Sequence, residues 1–153
     1  MRLRVVSLGQ KMPAWMHTGW QDYARRMPAG LTLSLHELPV SGKQAGCAAQ
    51  TAALLKHSEQ QHRVALDLRG QTWSTEQLAS QLQGWQRLGR DVALLVGAAD
   101  GLQPQVLQAA DQCWSLGPLT FPHMLVRVLL AEQLYRAAMI VQGHPYHRSG
   151  HPQ

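Results

Sequence analysis

Val92-Ala93-Leu94-Leu95-Val96-Gly97 is the stretch that decides the fold. Its run of apolar residues has no polar side, so it reads as a central parallel strand covered on both faces. Other apolar runs flank it along the chain. Leu3 to Leu8 reads as a first strand. Leu31 to Leu38 alternates Leu31, Leu33 and Leu35, as a half-buried strand does. Val64 to Leu68 is a third strand, ended by Arg69-Gly70, and a short one lies around Cys113 to Leu116.

Helical spacing separates these runs. Trp15 to Met27 carries Trp15, Met16, Gly19, Trp20, Tyr23 and Ala24 at helical intervals. Gly42 to Gly46 is a flexible connection, and Ala48 to His57 is an alanine-rich helix. Ser74 to Leu88 opens with Ser74 and Gln77 at capping-box spacing. A short helix is expected near Pro104 to Ala110. A long one starts near Pro122, whose fixed φ suits a first turn, and runs to about Gln142, where Gly143 ends it. Repeated strand-then-helix units predict an α/β fold, a mostly parallel sheet flanked by helices. No repeat, low-complexity block or linker divides it, so residues 1–153 are expected to form a single domain.

A chain of 153 residues can bury a real core. Lys and Arg number 14 against 9 Asp and Glu, a formal charge of +5 that suits an RNA partner. Cys47 and Cys113 form no CxxC pair and read as free buried thiols in a reducing cytosol. The opening MRLRVVSLGQKMP has too short an apolar run for a signal peptide. No stretch approaches the roughly eighteen apolar residues of a membrane span, so a cytoplasmic location is expected.

Three segments carry candidate chemistry. Val96-Gly97-Ala98-Ala99-Asp100-Gly101 follows the central strand, and ligands bind at the carboxyl ends of such strands. Gly97 would let backbone approach a ligand, and Gly101 can take a positive φ. The dinucleotide and phosphate-loop glycine patterns are absent, which argues against ordinary NAD enzymes and P-loop NTPases. Leu116-Gly117-Pro118-Leu119-Thr120-Phe121-Pro122-His123 is too apolar for a surface loop and is expected to pack inward, with backbone groups left for a flat ligand such as an adenine. The last helix is apolar around most of its circumference, which predicts cover by a second subunit. Its Arg127 lies on an apolar side and needs an anionic or carbonyl partner, whereas Glu132 and Arg136 pair at i,i+4. The third segment is the tail, His144-Pro145-Tyr146-His147-Arg148, where two imidazoles, a phenol and a guanidinium suit an anionic substrate.

Taken together, VALLVGAADG from Val92 to Gly101, Trp114-Ser115-Leu116, Leu119 to His123, Val126-Arg127-Val128, Glu132 to Ala137 and His144 to Arg148 resemble the bacterial type-H methyltransferases of large-subunit ribosomal RNA, in the SPOUT superfamily. Gly9 to Pro13 and Tyr23 to Arg26 extend the resemblance to the start, so it covers essentially the whole chain. It implies a deep carboxyl-terminal trefoil knot, a homodimer and S-adenosylmethionine as methyl donor. The implied cofactor pocket falls on Leu66, Gly97, Leu116, Gly117, Pro118, Leu119, Thr120 and Phe121. The implied product is N3-methylpseudouridine in 23S rRNA of the assembled 70S ribosome, at pseudouridine 1915. In that chemistry His147 would take the N3 proton, Arg148 would hold phosphate or the developing anion, and Tyr146 would stack on the base. Ala98, Ala99 and Asp100 stand where the family usually has Gly, Pro and Glu. Ala98 would add a methyl near the cofactor.

Two other readings compete. One is a non-catalytic RNA- or ribosome-binding factor on the same knotted scaffold. The other is a metal-dependent hydrolase using His144, His147, His151 and His123, but HPYHRSGH lacks an acidic ligand and fits no zinc spacing, so no metal is expected.

Overall fold

The structure is a computed structural model that describes residues 1–40 and 44–148. The chain alternates strands and helices throughout. Strands β1 (Arg2–Leu8), β2 (Thr32–Leu38), β3 (His62–Thr72), β4 (Val92–Val96) and β5 (Gln112–Ser115) interleave with helices α1 (Ala14–Arg25), α2 (Gln44–Lys56), α3 (Thr75–Leu88), α4 (Pro104–Ala109) and α5 (Leu125–Val141). All five strands are parallel, in the order β2-β1-β4-β3-β5. The chain therefore leaves β4, passes β3 and adds β5 at the far edge.

The apolar run Val92–Val96 is buried along its whole length between β1 and β3, as a strand with no polar face must be. Its alternate residues serve two cores. Val92, Leu94 and Val96 join Trp20 of α1, Leu82 and Trp85 of α3 and Leu130 and Leu134 of α5. Ala93 and Leu95 join Leu54 of α2 and Val106 of α4 on the opposite face. Each fully buried leucine contributes about 1.5–3 kcal/mol of transfer free energy. Close approach tightens the first layer, where a Cβ on Gly19 of α1 would lie 3.4 Å from Val128 of α5.

Local signals place α3 well. Ser74 Oγ accepts from the Gln77 amide, and the Gln77 side chain accepts from the Ser74 amide. Gly89 closes the helix in the left-handed region, as Gly143 does beyond α5, with φ values of +71° and +72°. Elsewhere the structure corrects the sequence reading. β3 does not end at Arg69-Gly70. Its pairing with β5 breaks after Leu66 and resumes at Gln71 and Thr72. Gly70 permits this, because a Cβ there would fall 2.6 Å from the backbone of Cys113 and Trp114. α5 begins at Leu125 rather than near Pro122, since the Leu125 amide bonds to the Pro122 carbonyl in a turn that precedes the helix. α2 starts at Gln44, inside the expected connection, whose residues 42 and 43 lie outside the described residues. Cys47 and Cys113 are half-buried rather than buried.

Candidate active site

The sheet order brings the carboxyl ends of β4, β3 and β5 side by side. Gly97 follows β4, Leu66 lies in β3, and Leu116 and Gly117 follow β5. The predicted cofactor residues thus share one edge. Gly97 also has a structural reason of its own. A Cβ there would lie 2.6 Å from the Gly101 carbonyl oxygen, so the glycine lets the turn close on itself. The Gly101 amide completes that turn by bonding to Ala98 at 2.9 Å, with Gly101 at φ +91°. The Ala98 methyl is accommodated in the core on the α2 and α4 side.

The loop after β5 also departs from expectation. Pro118, Leu119 and Thr120 are exposed, Leu119 by 68%, so the loop does not pack inward. Gly117 sits at φ +106° with open space where a Cβ would stand. Its amide donates to Ser115 Oγ at 3.1 Å. Among the described residues, the amides of Leu119, Thr120 and Phe121 donate to no other backbone group. An apolar loop with unbonded amides at a strand edge needs something to cover it.

Two side chains that sequence reasoning missed flank this edge. Asp67 Oδ1 and Oδ2 accept from Arg69 Nε at 2.8 Å and Nη2 at 3.1 Å. The hydrogen bond from Arg69 holds the Asp67 carboxyl below its usual range. Burial, with help from Asp67, pushes the neighbouring Cys113 thiol up and makes it a poor nucleophile. A separate cleft of about 630 Å³, lined by residues that include Trp73, Gln77 and Gln81, lies beside the edge and contains none of the predicted site residues.

Arg127 finds the partners its position demanded. It is fully buried. Its guanidinium donates to Glu37 Oε2 at 2.6 Å, the Gly9 carbonyl at 2.6 Å, Ser7 Oγ at 3.1 Å and the Leu8 carbonyl at 3.3 Å. His123 Nε2 donates to the same Leu8 carbonyl at 2.9 Å. Together they fasten the start of α5 to the carboxyl ends of β1 and β2.

The tail turns back along α5. The Tyr146 ring meets Tyr135 edge-on at 4.7 Å, with the guanidinium groups of Arg136 and Arg26 at 4.8 and 5.6 Å from its centroid. Its hydroxyl donates to Glu132 Oε1 at 3.3 Å. Burial, with Glu132 adding, pushes the phenol up to about 12, so it stays neutral at physiological pH. His147 contacts Arg136 through Nδ1 at 3.3 Å and Glu76 through Nε2 at 2.8 Å. Arg148 is exposed. Among the described residues, no hydrogen bond, ion pair or ring contact joins this tail to Leu66, Gly97 or residues 116–121 of the same subunit. The i,i+4 spacing announced Glu132 and Arg136. Nothing local could announce Glu76, which reaches His147 across two elements.

The family described as Predicted SPOUT methyltransferase matches residues 1–147. A ribosomal RNA large subunit methyltransferase H from Alkalilimnicola ehrlichii is 50% identical, covering 97% of this chain and all of that one. The protein of that name from Stutzerimonas stutzeri is 46% identical over the same shares. This chain belongs to the SPOUT methyltransferases, in the methyltransferase H family.

Solved structures agree on the fold. A methylase family protein from Neisseria gonorrhoeae superposes with a TM-score of 0.55 at 12% identity, over 99% of this chain and 88% of that one. One from Haemophilus influenzae gives 0.55 at 16%, over 99% and 72%. The histidines of the hydrolase reading do not meet. His123 bonds to Leu8, His144 Nδ1 accepts from the Tyr146 amide, His147 is held by Glu76 and Arg136, and His151 lies outside the described residues. Among the described residues, no three His, Cys, Asp or Glu side chains form a metal-binding group. No helix there is long and apolar enough to cross a membrane.

Proposed function

We propose that the protein transfers a methyl group from S-adenosylmethionine to N3 of a pseudouridine in 23S rRNA, at position 1915, in the assembled ribosome. The observation that carries this reading is the carboxyl edge where Leu66, Gly97 and residues 116–121 converge in a chain of the methyltransferase H family. The edge fits the donor. Leu68 and Leu119 offer uncovered apolar surface to an adenine, Gly117 leaves room beside it, and the amides of Leu119, Thr120 and Phe121 are free for its polar rim. Leu66, Gly97, Leu116, Gly117, Pro118, Leu119, Thr120 and Phe121 would hold it.

Once bound, S-adenosylmethionine supplies an electrophilic methyl on a sulfonium. The N3–methyl bond forms as the carbon–sulfur bond breaks, and a neutral thioether leaves. The chain's own task is chiefly positioning. N3 must lose its proton, and the resulting imide anion needs a cation nearby. Arg148 is exposed at the end of the tail and serves that role. Tyr146 and His147 complete the tail, with the Tyr146 ring packed on Tyr135.

The working unit is a homodimer, with the carboxyl-terminal trefoil knot that the family resemblance implies. Its support is that residues 144–148 touch their own edge nowhere among the described residues, together with the half-buried Leu125, Leu129 and Ile140 of α5 and the exposed Trp15 of α1. One subunit's tail then completes its partner's edge, and one domain over residues 1–153 contains the whole machinery in a cytoplasmic protein.

Calorimetric titration with S-adenosylmethionine and methyl transfer to ribosomes test the reading. Arg148→Ala should lower kcat by about a hundredfold and leave cofactor Kd within about threefold. Equal losses in both would remove Arg148 from the reaction. A chain that binds ribosomes but no cofactor would instead be a non-catalytic binding factor.

A further inference from the structure

The side chains that hold the tail fix its protonation as well as its place. Arg136 is a guanidinium and can only donate, so His147 Nδ1 accepts its Nη1–H at 3.3 Å. Nε2, on the other side of the ring, stands 2.8 Å from Glu76 Oε1. An ionised carboxylate can only accept, so Nε2 carries the hydrogen. The two contacts select one neutral tautomer and occupy both ring nitrogens. Glu132 in turn fixes Arg136, through Nε at 2.8 Å and Nη2 at 2.5 Å. The imidazole side chain is only 14% exposed.

We infer that Glu76 and Arg136 are positioning residues for methyl transfer: they hold His147 as a fixed neutral Nε2–H imidazole that aims Arg148 at the substrate anion, so His147 does not take the N3 proton. The inference rests on the proposed function. A general base needs a free lone pair facing the proton it removes. His147 has none, because Nδ1 already accepts and Nε2 already donates. The N3 proton passes to water as the N3–methyl bond forms and the carbon–sulfur bond breaks, while Arg148 carries the compensating charge. Among the described residues, the charged and titratable groups around the imidazole include Glu76 from α3, Glu132 and Arg136 from α5, and Tyr146 and Arg148 beside it. Arg26 and Tyr23 of α1 lie beyond the Tyr146 ring.

His147→Gln separates positioning from proton transfer. Glutamine offers a carbonyl to Arg136 and an amide N–H to Glu76, with no proton to exchange. It should keep kcat on ribosomes within about threefold of wild type, while His147→Ala loses about thirtyfold. If His147 is the base, both variants lose the same factor, about 10²–10⁴, and the inference fails. Imidazole nitrogen NMR gives a readout independent of activity. The signals that disappear in His147→Gln should be those of a neutral Nε2–H ring, and in Glu76→Ala they should move toward a tautomer mixture. An Nδ1–H ring or an imidazolium at neutral pH would overturn the clamp. A wild-type chain that methylates no ribosome overturns the proposed function, and the nitrogen shifts still decide the clamp.

Discussion

Helix α5 carries two arginines in opposite settings. Arg127 has no exposed surface, and two of its acceptors are backbone carbonyls at the end of β1. Arg136 is half-buried, and its partners are side chains: Glu132, His147 and the Tyr146 ring. The two carbonyl acceptors of Arg127 cannot move without the sheet moving, so this cation belongs to the architecture. A cation held by side chains can organise a segment and release it. The same residue type, on one helix, therefore anchors the fold at one end and the candidate chemistry at the other.

The largest effect is expected at Arg127. Arg127→Met matches length and removes charge, leaving the Glu37 carboxylate and the Gly9 carbonyl without the guanidinium that donates to them. It should cost about 3–5 kcal/mol, read as a fall in the urea midpoint. Arg127→Lys should rescue little, because one ammonium cannot reach acceptors that a guanidinium spans with both arms. Arg136→Met should cost only about 1 kcal/mol in the same experiment, as a partly exposed pair does. It should nonetheless impair turnover on ribosomes, because the tail loses its clamp. Equal destabilisation by the two methionine substitutions would erase the distinction.

The two glycines of the open edge sharpen the comparison. Gly97→Ala places a methyl 2.6 Å from the Gly101 carbonyl oxygen, so backbone must shift, at about 1–3 kcal/mol. Gly117→Ala meets no atom within 4 Å, and only the positive φ opposes it, at about 1–2 kcal/mol. If Gly117 faces the donor, its alanine variant should weaken S-adenosylmethionine binding more than its stability loss suggests. Unchanged Kd would move the donor away from this loop.

These contrasts also mark how far the sequence could be read. Val92–Val96, the Ser74 capping box, Gly101 and Gly143 were legible because their signals are local: an apolar run, a fixed spacing, a positive φ. The need of Arg127 for a partner was legible too, since a charge on an apolar face cannot stay bare. Its actual partners at Ser7 to Gly9 and Glu37 were not, because the chain meets itself there from far away in sequence. The same limit hid the continuation of β3 past Gly70, which depends on the backbone of Cys113. It hid Glu76 beside His147 as well. The loop at 116–121 was misjudged for another reason. Apolar composition signals a need for cover, but not whether the cover comes from the same subunit, a partner or a ligand.

The smallest effect concerns the tail's own contribution to stability. The Tyr146 phenol is raised from 10.0 to about 12, first by burial and then by the nearby Glu132 carboxylate. A raised value means that the fold favours the protonated, neutral phenol. Its contribution is complete below about pH 10, where folded and unfolded chains both keep the proton. It is lost as pH rises from about 10 to about 12, where the unfolded chain ionises first. Tyr146→Phe keeps the edge-on contact with Tyr135 and has nothing to ionise. Urea midpoints measured up to about pH 11 should therefore decline more steeply for wild type than for the phenylalanine variant. Parallel declines would mean that the phenol is not held against Glu132 in solution. The tail would then be released from α5 even before substrate arrives, and Arg136 would lose the ring it faces.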